Sequence, residues 1–145
     1  MRIRTAEQGD YAAVTALLQV LNPVDPPSSA AVERAYTRIL DTDGLHLLVA
    51  DDDGDILGTC YLNVLPNLTR SARPYAVIEN VVTSAAHRNR GVGQALIADA
   101  VQRAAADNCY KVMLLSGRSD PAVHAFYRRC GFDPNEKQAY VQRLP

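Results

Sequence analysis

The chain has 145 residues, of which 48% are hydrophobic and 21% charged, a balance typical of a globular domain and not of a disordered or fibrous protein. Its 15 basic and 16 acidic residues give a formal net charge of -1, whereas a duplex nucleic-acid binder normally has a basic excess. No apolar run reaches the ~20 residues of a membrane span, and no secretory signal opens the chain. Cys60, Cys109 and Cys130 are odd in number and far apart, which favours free thiols. We therefore expect one cytoplasmic domain over residues 1–145 that binds neither nucleic acid nor membranes.

Hydrophobic periodicity and turn residues predict the elements of the fold. In chain order they are a strand at 2–5, a helix capped by Asp10, a proline-rich loop at 22–27, a helix capped by Ser28 or Ser29, strands at 45–50 and 55–65 joined by an Asp53-Gly54 turn, a loop at 66–74, a strand at 75–83, a helix at 91–107, a strand at 111–115, a helix from Asp120 to Gly131, and a last strand at 139–144. The order β-α-α-β-β-β-α-β-α-β has hairpins first and a β-α-β crossover later. It predicts an α/β (α+β) fold, with a mixed, mostly antiparallel central sheet flanked by helices.

The strongest local pattern lies between the 75–83 strand and the following helix, and reads Arg88-Asn89-Arg90-Gly91-Val92-Gly93-Gln94. The first turn of a helix has backbone amides without internal partners and the positive end of the helix dipole, and glycines leave those amides accessible. The pattern therefore favours a phosphate or pyrophosphate site, although a basic loop before a glycine-rich helix start would explain it without a ligand. A dinucleotide-binding fingerprint would need a further glycine at position 96, where this chain has Leu96. The Gly-Lys-Ser/Thr end of a P-loop is also absent.

The spacing Arg-x-x-Gly-x-Gly resembles the pyrophosphate loop of the GNAT (Gcn5-related) N-acetyltransferases. The segment before it, Ile78-Glu79-Asn80-Val81-Val82, resembles the fourth strand of that family. A later segment resembles its helix-ending Phe/Leu-Tyr-x-x-x-Gly-Phe motif, and reads Ala125-Phe126-Tyr127-Arg128-Arg129-Cys130-Gly131-Phe132. The Ile78-Glu79-Asn80-Val81-Val82 strand, together with Cys109-Tyr110-Lys111-Val112, also resembles the glucosamine-6-phosphate N-acetyltransferase branch.

This resemblance implies the acyl-CoA N-acyltransferase fold and transfer of an acetyl group from acetyl-CoA to a primary amine of a small molecule, such as an amino sugar. Acetylation of a protein lysine or N-terminus, and a non-catalytic acyl-CoA-binding module, remain alternatives. A homodimer is also implied. The expected cofactor-binding residues are Val81, Val82, Arg88, Asn89, Arg90, Gly91, Val92, Gly93, Gln94 and Phe126. Backbone amides around the two valines would donate to the thioester oxygen and to the pantetheine amides.

Two side chains are candidates for the chemistry of acetyl transfer. An amine must lose its proton before it attacks a thioester, so a general base is useful, and Glu79 is a carboxylate in an otherwise apolar strand. Burial there would raise its pKa, unless it is a structural carboxylate paired with a cation such as Arg70 or Arg73. Tyr127 matches the family's tyrosine that protonates the leaving thiolate, and its alternative is a core tyrosine. Asp120, where the motif often has Asn, and Val123, where it often has Ala, depart from the pattern.

The acceptor should enter between the 22–27 loop and the 66–74 segment. Arg70 and Arg73 of that segment either bind an anionic acceptor or are solvated loop arginines. His46, His87 and His124 have no ligand spacing with one another or with a cysteine, so no metal site is expected.

Overall fold

A mixed sheet of five strands in the order β1-β2-β3-β4-β5 forms the centre of the computed structural model, which describes residues 1–25 and 28–144. The elements in chain order are β1 (Arg2–Thr5), α1 (Tyr11–Leu21), α2 (Ala30–Leu40), β2 (Leu45–Asp52), β3 (Asp55–Leu65), β4 (Tyr75–Thr83), α3 (Val92–Ala106), β5 (Val112–Leu114) and α4 (Pro121–Arg129). Neighbouring strands from β1 to β4 pair antiparallel, and β5 pairs parallel to β4. The predicted fold class, a mostly antiparallel mixed sheet flanked by helices, is confirmed.

The alternation of side chains along β2 places two hydrophobic layers on the two faces of the sheet. Leu48 packs in the cluster beneath α3, where Leu96 is also fully buried. Val49, the next residue, packs on the opposite face with Val14 of α1 and Tyr36 of α2. Burial of an aliphatic side chain of this size stabilises the fold by roughly 1.5–3 kcal/mol, so both layers hold their helices against the sheet.

Two local sequence signals act as predicted. Asp53 and Gly54 join β2 to β3 with φ of 53° and 98°, the pair of positive values that a tight type I′ hairpin turn requires. Ser29 caps α2, because its side-chain oxygen accepts a hydrogen bond of 3.2 Å from the Val32 amide.

The predicted cap of α1 is correct in position but wrong in chemistry. Asp10 precedes the helix, yet its carboxylate caps no amide of α1. It instead accepts two hydrogen bonds from the Arg4 guanidinium, at 2.6 and 2.9 Å, and one from the Glu7 amide at 2.7 Å. Charge-assisted bonds are about twice as strong as neutral ones, which explains why the carboxylate pairs with arginine.

The last predicted strand, at 139–144, is wrong, because this described segment has no strand. Its large apolar side chains are exposed, Tyr140 at 89% and Val141 at 71%. A strand needs a neighbour to pair with. The edge strand that precedes this segment in the chain is β5, and it has only three residues. An alternating sequence pattern alone therefore does not make a strand here.

Candidate functional site

A cleft of about 990 Å³ opens where β4 and β5 stop pairing. The last residues in register are Ile78 and Leu114, and both line the cleft. Beyond them β4 continues to Thr83, whereas the chain after Leu114 leaves the sheet and leads to α4. The amino end of α3 and one side of α4 complete the walls. Small-molecule sites typically enclose about 300–1,000 Å³, so the cleft is large enough for an extended ligand.

A β-bulge shapes the wall that β4 contributes. Thr59 pairs with Val82 and Tyr61 pairs with Glu79, so β4 has one residue more than β3 between these two pairs. Asn80, inside the bulge, has a φ of 52°. Val81 is half-buried, Val82 is buried, and both line the cleft at this bend. Bulges are frequent beside active sites because they redirect a strand locally.

The amino end of α3 faces the same cleft. Gly91 precedes the helix in a left-handed conformation (φ 81°), and its carbonyl accepts the first helical bond from the Ala95 amide at 2.9 Å. No side chain caps this helix, so the amides of its first turn have no side-chain partner. Val92, Gly93 and Gln94 in that turn all line the cleft, which makes this end of α3 suitable for an anion.

The two glycines of the loop act differently. A Cβ on Gly91 would meet nothing within 4 Å, so this position opens onto free space, but its positive φ would strain any other residue. A Cβ on Gly93 would lie 3.3 Å from Cζ of Phe126 and 3.4 Å from Oγ1 of Thr83. Gly91 therefore leaves open space at the start of α3, and the binding of an anion there stays a prediction. Gly93, expected to do the same, instead makes room for the Phe126 ring, which also lines the cleft.

The polar residues before α3 separate into two groups. Arg88 and Asn89 are exposed and line the cleft. Arg90, expected in the same site, is exposed but does not belong to the lining. His87 also lines the cleft, and its Nδ1 lies 2.7 Å from Oγ of Ser84. The sequence pattern thus located the loop but not which of its arginines reaches the cleft.

Tyr127 lies on α4 and lines the cleft, and the end of its helix holds it in place. The Phe132 amide donates to the Tyr127 carbonyl at 3.1 Å, and Gly131, with φ of 91°, completes this Schellman-type ending. The Tyr127 ring packs edge-to-face against Phe126 and Phe132. Burial raises the pKa of the Tyr127 hydroxyl, so the group remains protonated at neutral pH and is able to donate.

Glu79 lines the cleft, but the expectation that it is buried is wrong. Glu79 pairs with Tyr61 directly before the bulge in β4, and it is exposed, whereas its neighbour Ile78 is buried. The alternative pairing with an arginine of the 66–74 segment is also wrong. Arg73 donates to the carbonyls of Asn108 and Cys109, and the Arg70 guanidinium lies 5.7 Å from the centre of the Tyr110 ring.

Asp120 and Val123 depart from the family motif, and the structure explains the first of these residues. Asp120 accepts a hydrogen bond of 2.9 Å from the Ala122 amide and so caps α4, with Pro121 in the first turn. Its carboxylate thus stabilises the helix that carries Tyr127. Val123 is half-buried and lines the cleft.

The predicted acceptor entrance stays a prediction, and only one of its two segments contributes to the lining of the cleft. Val20, Leu21 and Asn22, where α1 ends, line the cleft, and Pro26 and Pro27 of the predicted loop lie outside the described residues. The 66–74 segment contributes no residue to the lining. Sequence reasoning missed the loop that follows β5, where Ser116, Gly117 and Arg118 line the cleft, and it missed Arg143. The sequence signal that could have pointed to this loop is a basic residue, Arg118, just before Asp120.

No helix in the described parts of the chain is long and apolar enough to cross a bilayer. Across residues 1–25 and 28–144, no three histidine, cysteine, aspartate or glutamate side chains are grouped so as to hold a metal ion.

Comparison with known proteins places the chain in a family. The family model described as "Acetyltransferase (GNAT) family" matches residues 12–132. A solved structure titled "Putative acetyltransferase from Agrobacterium tumefaciens str. C58" is 45% identical, with a TM-score of 0.92 over 99% of this chain and 100% of that chain.

Two curated relatives are similar over different lengths. Glucosamine 6-phosphate N-acetyltransferase of Trypanosoma brucei brucei is 36% identical over 85 residues, 59% of this chain and 56% of that protein. Glucosamine 6-phosphate N-acetyltransferase 1 of Oryza sativa subsp. japonica is 28% identical over 135 residues, 90% of this chain and 80% of that protein. The chain thus matches little more than half the length of the trypanosome relative. Because the family model covers most of the chain, from the start of α1 to the end of α4, the protein belongs to the GNAT family of acetyltransferases.

Proposed function

We propose that the protein transfers an acetyl group from acetyl-CoA directly to a primary amine of a small molecule. One observation supports this most strongly: a single cleft is lined both by the uncapped amino end of α3 and by the protonated hydroxyl-bearing residue Tyr127. The first feature suits a pyrophosphate and the second suits a leaving thiolate. Their occurrence in one continuous cleft matches a cosubstrate that carries both groups.

The residues around the α3 end fit the diphosphate of CoA. Gly91 opens onto free space beside amides that have no side-chain cap, and Arg88 adds a positive charge to the same lining. Amides and helix dipole together attract an anion, and an arginine can bind phosphate with two parallel bonds. Asn89, Val92, Gly93 and Gln94 complete the loop, and Phe126 packs beneath it. Arg90, which lies outside the lining, would contribute only long-range attraction.

Acetyl-CoA supplies the acetyl group as a thioester, and the residues near the bend in β4 would act on it. Backbone amides around Val81 and Val82, beside the bulge, would donate to the thioester oxygen as it gains charge. Tyr127 would give its hydroxyl proton to the departing thiolate, whose parent thiol titrates near pH ~8.5. Glu79 would accept the proton of the incoming amine, through a water molecule, because it is exposed at the cleft.

The acceptor class that we propose is an amino sugar. The support is the similarity to two proteins named glucosamine 6-phosphate N-acetyltransferases, one of them 36% identical over the matched segment. The cleft extends beyond the CoA-binding walls to Val20, Leu21 and Asn22, which leaves room for a second small molecule.

The proposal includes a homodimer in the cytoplasm. Tyr140, Val141 and Leu144 expose 89%, 71% and 82% of their surface on a segment that pairs with no strand of its own chain among the described residues. Contiguous exposed apolar side chains commonly mark a contact with another protein surface. Light scattering on the purified chain tests the dimer, and a monomeric mass would contradict it.

The activity is tested by release of CoA thiol from acetyl-CoA in the presence of amino sugars, polyamines, amino acids, aminoglycosides or peptides. A blank without acceptor corrects for the three cysteines of the chain. We expect turnover with an amino sugar, and a decrease in kcat of about 100-fold for Glu79→Gln, the size of a general-base contribution. Turnover with peptides only, or CoA binding without turnover for every amine, would contradict the proposal. Those two results would support the protein acetyltransferase and the non-catalytic module, respectively.

A further inference from the structure

His87 lines the cleft in the loop between β4 and α3, directly before Arg88. The same loop contains Gly91 and leads to the uncapped amino end of α3, where the proposed diphosphate site lies. His87 is half-buried, whereas Arg88 and Asn89 beside it are exposed. The histidine is therefore part of the cleft wall next to the proposed anion site.

A short turn fixes the position of this histidine. Residues Ala85–His87 form one turn of 3-10 helix, and the His87 amide donates to the Ser84 carbonyl at 3.0 Å. The Ser84 amide donates to the Leu57 carbonyl of β3 at 2.8 Å, which ties the turn to the sheet. The ring itself is held by Ser84, whose Oγ lies 2.7 Å from Nδ1 of His87. Backbone and ring are thus both positioned by the protein alone.

The contact with Ser84 suits both charge states of the imidazole. When the hydroxyl donates to Nδ1, the proton of the neutral ring is on Nε2. When the ring is an imidazolium, Nδ1–H donates to the hydroxyl, and Nε2 again carries a proton. A hydroxyl group rotates to suit either case, so Nε2 of His87 is a donor in both states and the ring changes charge without a change in orientation.

Nε2 of His87 is available to a ligand. It forms no hydrogen bond or ion pair with another residue of the ranges 1–25 and 28–144. Within these ranges, the side-chain polar atom that is both fully buried and without a partner is Nε2 of His46. Nε2 of His87 is therefore unpartnered but accessible, as a donor that waits for a ligand has to be.

His87 is the side chain of the described cleft lining that ordinarily changes charge between pH 5 and 8. Burial raises the pKa of the Tyr127 hydroxyl and of the Cys130 thiol, which keeps both groups neutral in this range. Arginines stay charged there, and carboxylic acids ordinarily titrate at lower pH. The charged groups of these two kinds in the lining are Glu79, Asp120, Arg88, Arg118, Arg129 and Arg143.

We infer that Nε2 of His87 donates a hydrogen bond to the diphosphate of CoA, and that protonation of this ring makes the protein bind CoA more tightly as pH falls. The inference rests on the proposed CoA site and adds to it a residue outside the Arg-x-x-Gly-x-Gly motif. A bound diphosphate carries two negative charges, which favour the imidazolium form. Arg88 supplies a constant positive charge in the same loop, so the histidine makes the affinity depend on pH.

The test is calorimetric titration at pH 8 and pH 5.5 with CoA and with dephospho-CoA, which has the diphosphate but lacks the 3′-phosphate. We expect Kd of the wild type for dephospho-CoA to fall about 5- to 10-fold between the two pH values, because a charge-assisted hydrogen bond contributes about tenfold in affinity. His87→Gln retains a donor but does not titrate, so its Kd should be the same at both pH values within about 2-fold.

Three further variants separate the histidine from its surroundings. His124→Gln changes a half-buried histidine of α4 outside the cleft lining, and it should keep the wild-type pH dependence. Arg88→Gln removes a constant charge, so it should raise Kd by a similar factor at both pH values. Ser84→Ala leaves the ring ionisable but not held, and it should reduce the pH effect to less than about 3-fold. Melting temperatures verify that each variant is folded.

Three results would overturn the inference. The first is an equal Kd of the wild type at both pH values, and the second is a pH dependence that His87→Gln retains. The third is a pH dependence seen with CoA but absent with dephospho-CoA, which would assign the histidine to the 3′-phosphate. Absence of CoA binding at both pH values would overturn the proposed CoA site as well. Binding of CoA without acetylation of any amine would contradict the proposed function alone, because this test measures binding and not turnover.

Discussion

Gly93 of α3 and Phe126 of α4 lie so close together that a Cβ on the glycine would be 3.3 Å from Cζ of the phenylalanine. This contact joins the helix that would bind the diphosphate to the helix that carries Tyr127. Phe126 also packs against the core cluster of α3 and the sheet, and its ring lies edge-to-face on Tyr127. One packing contact therefore positions two parts of the proposed active site relative to each other.

Substitution of Gly93 tests this contact. Alanine should change the free energy of unfolding by less than about 1 kcal/mol, because its better helix propensity offsets a contact that Phe126 can relieve by a small shift. Leucine should destabilise the protein by about 1–3 kcal/mol, because it overfills the space. Urea denaturation of both variants provides the measurement. A leucine variant as stable as the wild type would show that the two helices do not pack as described.

Removal of the Tyr127 hydroxyl should separate catalysis from stability. In Tyr127→Phe the ring keeps its packing against Phe126 and Phe132, while the proton donor is lost. We expect kcat to fall about 100-fold, as for loss of a general acid, with little change in KM for acetyl-CoA or in melting temperature. Since burial raises the tyrosine pKa above its ordinary value near ~10, the wild type should lose no activity to ionisation of this group between pH 7 and 9, a range set by that reference value. Full activity of the phenylalanine variant would exclude the donor role.

The carboxylate of Asp51 connects the first strand to the β2–β3 turn and makes stability depend on pH. Hydrogen bonds from Arg4 at 2.7 Å and from the Gly54 amide at 2.8 Å, with a weaker one from Arg2, lower the pKa of Asp51 to about 2. The ordinary value for an aspartate is about 3.9. A lowered pKa in the folded state contributes stability that is fully present above the unfolded value and is lost as pH falls through the folded value.

We therefore expect the free energy of unfolding of the wild type to decrease between about pH 5 and pH 2, the interval that spans the two pKa values. Asp51→Asn should be less stable at pH 7 and should show a shallower decrease with acid. Asp43→Asn, at an exposed position, should follow the wild-type profile. Urea denaturation at several pH values provides the comparison. Parallel curves for the wild type and Asp51→Asn would contradict the assignment.

Local signals predicted most of the fold because each rests on chemistry within a few residues. The Asp53-Gly54 turn needs only positive φ, and the Ser29 cap needs only one nearby amide. The features that the sequence did not predict depend on partners in other elements of the fold. Asp10 binds Arg4 instead of its own helix, and the 139–144 segment lacks a partner among the described strands.

In the candidate site, too, features within one segment were predictable, and features that depend on several segments were not. The Gly91 loop and the Tyr127 helix were recognisable from motifs, and the cleft contains both. The exposure of Glu79 was not recognisable, because the burial of a strand residue depends on which neighbouring elements pack against its side of the sheet. Arg118 and Arg143 were not recognisable from the sequence as cleft residues, because only the tertiary structure brings their two segments to one cleft.

The central claim is that the amino end of α3 binds the diphosphate of CoA beside Gly91. Calorimetric titration with CoA of the wild type, Gly91→Gln and Gly91→Glu tests it most directly. Both variants bear the strain of a side chain at φ 81°, roughly 1–2 kcal/mol, so the comparison between them isolates the charge. We predict that Kd for CoA in the glutamate variant is at least about 10-fold above that of the glutamine variant, with both chains folded by circular dichroism, because the carboxylate competes with the diphosphate for the same amides. A glutamate variant that binds CoA as tightly as the wild type would contradict the account.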